Sequence, residues 1–348
     1  MALSERAREI LNRQDLIEKR DLWFARMEKV FGGEYTDWNS RYVLGVDGVV
    51  AGIPYDPAVP AKERVEAALE AAAQKYTALE NEVYFRPVCV EYPPFGVHYI
   101  DKLLGAEVNF YAGQWYNKYL TTPIGSLKMP ALDEDPRWQD SMQVAKAFVE
   151  AGVTLPLFGL PTIASALNIA VNLYGENILV AMIEEPEAAQ ADLNTINELL
   201  CKIHDWYRRN VPQQLLQPVI SWNRTQPPGH GQICGCSTHL LSPSLYEKMV
   251  APLDNALLAV YPRGGMIHLC GAHRQHIPVF RNMPALKALQ LNDAASRDLQ
   301  YYYEGLREDQ IIYLNPCEGM SVEDALRITG GKRLIFAGME MKQPIPQR

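Results

Sequence analysis

Residues 241–271, LSPSLYEKMVAPLDNALLAVYPRGGMIHLCG, hold one helical stretch followed by one short apolar strand. Ser242-Pro243 is a helix cap followed by a first-turn proline, and the segment ends in a short apolar strand, 265–270. Working outward, the same alternation of apolar run, turn and helical stretch recurs from about residue 84, which predicts βα units around a parallel sheet. Candidate strands fall at 85–91, 107–112, 154–159, 218–223, 265–270, 287–292, 310–315 and 333–338. Eight is the number that closes a barrel. The fold expected is therefore an α/β chain with a single (β/α)8 TIM barrel over 84–348, preceded by an N-terminal helical extension over 1–83.

Between Lys62 and Leu79, the apolar residues Val65, Ala68, Leu69, Ala72, Tyr76 and Leu79 return every three or four positions, marking one buried helical face. Pro186 opens a helix whose stripe runs Leu193, Ile196, Leu200, Ile203, Tyr207. Ser321 with Asp324 predicts a capping box, and Gly330-Gly331 a stop. The Gly/Pro-rich stretch 224–240, RTQPPGHGQICGCSTHL, reads as a long loop over the barrel mouth.

With 48% hydrophobic and 21% charged residues the chain can bury a sizeable core. Its net charge of −8 and lack of a basic run argue against nucleic acid or an anionic membrane as partner. No apolar run is long enough to span a bilayer, and the N-terminus lacks the apolar core of a secretory signal. Six cysteines in 348 residues are too few for a disulfide scaffold, so they read as reduced thiols of a cytoplasmic protein.

In a strand, residues two apart share a face, so His268 and Cys270 point the same way at the C-terminal end of the fifth strand, where barrel enzymes keep their active sites. Cys317 follows the seventh strand at the same rim. One imidazole and two thiolates suit zinc and leave a coordination position open. The plain alternative is a buried core histidine with cysteines packed as small hydrophobes. Cys234 and Cys236, with His239, form a competing thiol cluster on the 224–240 loop, and the choice between it and Cys317 for completing the site stays open. Glu91, Asn223, Asn315 and Glu340 end strands or follow them, and are candidates for orienting substrate or for plain rim polarity, while Asp293, at the end of the sixth strand, is a catalytic-site candidate as a fourth ligand or else a helix N-cap or loop residue.

The 241–271 segment, with its LSP helix start, proline-ended helix and strand finishing His-x-Cys-Gly, resembles the uroporphyrinogen decarboxylase superfamily. The likeness extends over about 150–340, and it implies a (β/α)8 barrel. The His-x-Cys form is similar to its zinc-dependent cobalamin methyltransferase branch, the methylcobalamin:coenzyme M methyltransferases, whose motif is His-x-Cys and a later Cys; His268, Cys270 and Cys317 match it in order. In that branch the later Cys follows the last strand, whereas Cys317 follows the seventh. Asp293 stands about where cobalamin-independent methionine synthases, a distantly similar zinc barrel, place a carboxylate ligand. The resemblance implies zinc as cofactor and a methyl group moved between a corrinoid, brought by a separate protein, and a small thiol or methylated substrate. The tetrapyrrole-binding arginine stretch of the decarboxylases is represented only by Arg86. Two rivals remain: a decarboxylase or lyase of another acid, which needs converging arginines such as Arg224, Arg263 and Arg274, and a non-catalytic barrel with a structural metal site.

Overall fold

The computed structural model describes residues 2–34, 42–45, 49–80, 84–217 and 224–338. Short apolar runs rich in Ile, Leu and Val become parallel strands buried on both faces, as all five residues of Gly265–Leu269 are. In chain order the strands are β1 (Tyr42–Leu44), β2 (Val49–Gly52), β3 (Val88–Glu91), β4 (Val108–Tyr111), β5 (Gln114–Asn117), β6 (Leu157–Gly159), β7 (Leu216–Gln217), β8 (Gly231–Cys234), β9 (Gly265–Leu269), β10 (Leu286–Leu291), β11 (Ile311–Leu314) and β12 (Leu334–Phe336). One parallel sheet runs β1-β12-β11-β10-β9-β8, and a second runs β2-β3-β6-β7. Single parallel bridges tie the sheets at both edges of the larger one: Gly45 to Phe85 beyond β1, and Ala164 to Cys234 on β8.

The helices follow their sequence signals. Ala61–Ala73 buries Val65, Ala68, Leu69 and Ala72, and Pro186–Asn210 buries Leu193, Ile196, Leu200, Ile203 and Tyr207. The Ser321–Asp324 capping box forms, and Gly330 closes that helix in the left-handed conformation. Among the described residues, no single helix is long and apolar enough to cross a membrane.

Three expectations are corrected. The run at 107–112 is not a parallel strand: β4 turns back at Ala112-Gly113, both at positive φ, and pairs antiparallel with β5, because that turn is too short for a helical crossover. The segment before residue 84 is not purely helical, since β1 hydrogen-bonds with β12 and β2 with β3. Part of the 224–240 loop is a strand, β8, paired with β9. The expected strand at 218–223 lies outside the described residues.

Two glycines decide how β8 meets β9. A β-carbon on Gly265 would stand 2.3 Å from the Gly231 carbonyl oxygen, and one on Gly231 would stand 2.2 Å from the Tyr261 ring. Only residues without a β-carbon fit, so Gly231 pairs with Gly265, and three residues on Cys234 is set beside His268.

Candidate metal centre

In a parallel sheet, register partners present their side chains on the same face. Cys234 of β8, His268 of β9 and Gln290 of β10 are such partners and form one row across three adjacent strands. Gly235 then turns the chain out of β8 while its N–H donates to the His268 carbonyl at 2.9 Å. That turn brings Cys236, first residue of the 3-10 segment Cys236–Leu240, back over the row. Cys234, Cys236 and His268 offer ligand atoms all within 4.8 Å of one another. Cys236 Sγ lies 3.3 Å from Cys234 Sγ and 2.9 Å from Cys270 Sγ.

The electrostatics favour thiolates here. Cys270 is held below the ordinary thiol range by its hydrogen bond with Cys236 and by His268, and Cys234 is lowered by Cys236 first and His268 second, against its burial. Cys236, between them, is raised correspondingly by its bonds to Cys234 and then Cys270. His268 Nδ1 is bonded to Gln290 Oε1, so Nε2 is the ring atom available to a ligand. Two lowered thiols, a third beside them and an imidazole whose second nitrogen lies on the thiol side form a donor set of the borderline-soft kind that zinc takes. The chemistry of the residues fits such an ion.

Surrounding groups hold the cluster in place. Asn168, on the helix Ala166–Tyr174, donates from Nδ2 to Cys234 Sγ at 3.4 Å, and its Oδ1 receives the Ser237 N–H. Thr238 donates to the Gly235 carbonyl and meets His273 Nδ1 at 3.0 Å, while His276 Nε2 donates to the Thr238 carbonyl. Burial pushes His273 down to about 3, and lowers His276 as well, so both stay neutral in this wall.

A cavity of about 490 Å³ opens beside the cluster. Cys234 and His268 form one wall with Arg224, Asn168 and Asn172; Glu91 stands at the end of β3, and Leu160, Ile163 and Val97 supply apolar surface.

The structure thus brings together some of the residues picked from sequence and not others. His268 and Glu91 face the cavity, and Cys270 joins the thiols. Cys317 is elsewhere: its Sγ contacts the Asp293 carbonyl at 3.6 Å and the Glu318 carbonyl at 3.5 Å, and it is not in the cluster. The reason is topological, since Cys317 follows β11, two strands from β9, while β8 lies next to β9 on its other side. Asp293 heads the short helix Ala294–Arg297 with φ 48° and no side-chain capping bond, and it is not in the cluster either. Asn223 and Glu340 lie outside the described residues. Asn315 accepts from Gln290 Nε2 at 2.5 Å, one step behind His268. Sequence reading missed Gln290 and Asn168. The signal for Gln290 was an amide inside the apolar run LKALQL, where a strand buried on both faces has no solvent for it.

No protein-family model and no curated protein sequence matches the chain. Among solved structures it is similar to a methyltransferase from Methanosarcina mazei, with a TM-score of 0.61 and 13% sequence identity over 90% of this chain and 91% of that one. At that identity the likeness shows the fold alone.

Proposed function

We propose that the chain is a zinc-dependent methyltransferase built on a closed (β/α)8 barrel, moving a methyl group between a corrinoid on a separate protein and a small thiol or methylated substrate. The bridges at both edges of the larger sheet and the fold likeness support the barrel. The observation that carries the chemistry is the Cys234–Cys236–His268 cluster, of which Cys234 and His268 line the cavity and so lie within reach of a small molecule. Cys234, Cys236 and His268 hold the metal in this reading, with Cys270 against them; zinc bound there supplies Lewis acidity that keeps a substrate thiol as its nucleophilic thiolate at neutral pH. Asn168 steadies Cys234, Glu91 and Arg224 orient the substrate's polar end, and the apolar wall of Leu160, Ile163 and Val97 excludes water from the methyl group. A corrinoid held by a separate protein would supply or take up the methyl group at the mouth of this cavity, while Cys234, Cys236 and His268 would hold the zinc that activates the thiol.

The decarboxylase alternative keeps one of its three arginines at the cavity. Arg224 lines the cavity, but Arg263 pairs with Glu28 at 2.6 Å in a separate cleft, and Arg274 lies over the Tyr301 ring. A structural metal site closed by four protein ligands has one observation in its favour, the 2.9 Å approach of Cys270 to Cys236. Chelation separates the two. A catalytic site gives up its metal and the protein stays folded, whereas a structural site unfolds with the loss. The activity test is incubation of zinc-loaded protein with methylcobalamin and a series of small thiols, following the cobalamin spectrum. Demethylation that Cys234→Ser abolishes is the expected result; a rate equal in wild type and Cys234→Ser would contradict the proposal.

A further inference from the structure

Gln290 is fully buried in β10, and its side chain touches two polar groups in line. Its Nε2 donates to Asn315 Oδ1 at 2.5 Å, which turns its Oε1 toward His268 Nδ1. An amide oxygen only accepts, so the ring proton of His268 must sit on Nδ1. That leaves the Nε2 lone pair on the side of the thiols, where Cys270 is the neighbouring group. Reversed, the same chain would put an N–H against Nδ1 and the ring proton on Nε2, where it would block a metal. The row Cys234–His268–Gln290 comes from strand register, so backbone pairing on both sides holds the three side chains next to one another.

We infer that Gln290, oriented by Asn315, is a positioning residue that fixes His268 in its Nδ1–H form and so prepares Nε2 as a ligand. Metal-binding histidines commonly donate their second ring N–H to a carboxylate, a carbonyl or water; here a buried neutral amide takes that part. A neutral acceptor adds no charge to a site that already gathers three thiols. The inference rests on the metal reading for its purpose, but not for its geometry.

The test therefore uses two readouts. The first is the 15N NMR tautomer of His268 in full-length, metal-free protein labelled at histidine, at a pH well above the ordinary histidine range, with the signal assigned by its loss in His268→Asn. Wild type is expected as Nδ1–H, and Gln290→Met, close in volume but without the amide, is expected to shift to Nε2–H or a mixture. The second is zinc affinity by competition with a chromophoric chelator: Gln290→Met should lose about 10- to 100-fold, while Gln290→Glu, which can still accept from Nδ1–H, should stay near wild type. If Gln290→Met does not fold, the wild-type tautomer decides alone. An Nε2–H form in wild type, or a tautomer and affinity unmoved by Gln290→Met, would overturn the inference. Wild-type protein that takes up no zinc would instead sink the functional reading, with Gln290 judged by the tautomer.

Discussion

Replacing Gly235 by alanine adds one methyl group to the turn between Cys234 and Cys236 without altering any candidate ligand. Its φ of −103° suits any residue, so the cost is purely one of space. The new β-carbon would stand 2.6 Å from Ile267 Cγ2 and 3.3 Å from Leu269 Cδ2. Ordinary contact begins at 3.4 Å, which leaves the first contact short by 3.4 − 2.6 = 0.8 Å. Ile267 is fully buried in close-packed surroundings and β-branched, which restricts its χ1, so it has little room to swing aside and the turn has to lift off β9 instead. A metal site tolerates ligand displacements of only about 0.2 Å, so a lift several times larger, one residue from Cys236, should weaken zinc binding about 10-fold or more. Overpacking should cost the fold about 1–3 kcal/mol. Chelator competition and urea denaturation read the two effects separately. In Gly235→Ala with Ile267→Ala the 2.6 Å clash is gone, so zinc affinity should recover, while stability stands about 2–5 kcal/mol below wild type for the cavity. Wild-type zinc affinity in Gly235→Ala alone would refute the reasoning.

Further outcomes follow from the same geometry. Cys317→Ser should keep its zinc and Cys234→Ser should lose most of it, measured by elemental analysis of purified protein; the reverse pattern would restore Cys317 as a ligand. Arg64 and Asp140 form a buried ion pair at 2.5 Å between the helices Ala61–Ala73 and Pro136–Glu150, with Tyr92 donating to the same carboxylate. Arg64→Met should cost about 3–5 kcal/mol in urea denaturation by stranding the carboxylate, and Asp140→Leu added to it should recover much of that. His204 is fully buried, and burial lowers it to about 4 from an ordinary 6.5. Between those values the unfolded chain binds a proton that the folded chain refuses, so stability falls as pH drops through the window, by about 3 kcal/mol at its lower end. The slope of the urea midpoint against pH should flatten in His204→Gln and is contradicted by an unchanged slope.

The strands that carry His268 and Gln290 were legible because burial on both faces demands mostly apolar runs, and MIHL and LKALQL supply them around one or two polar residues. The long helices were legible for a related reason, since a stripe such as Leu193 to Tyr207 can only be one face of a helix. β8 was not. Its sequence, GQIC, holds a single β-branched residue and lies between Gly/Pro-rich turns, and it is a strand because the facing glycines let it lie against β9. Missing it hid the pairing of Cys234 with His268, which is a fact of register and not of spacing along the chain. His-x-Cys pointed to two residues, His268 and Cys270, that lie beside the other thiols. The remaining thiols could not be ranked from sequence, because Cys236 and Cys317 both follow strands and only strand order says which returns to β9. The 107–112 run misled for a simpler reason: its alternation fits any strand, and the two-residue turn after it was the sign of a hairpin.

Zinc-edge X-ray absorption on the purified protein tests the central claim most directly. The account predicts about one zinc per chain with a mixed shell, at least two sulfurs at about 2.3 Å and one imidazole nitrogen at about 2.0 Å, and one more sulfur when a substrate thiol is added. A zinc-free protein, or a sulfur shell that is the same in the Cys234→Ser, Cys236→Ser double variant as in wild type, would contradict it.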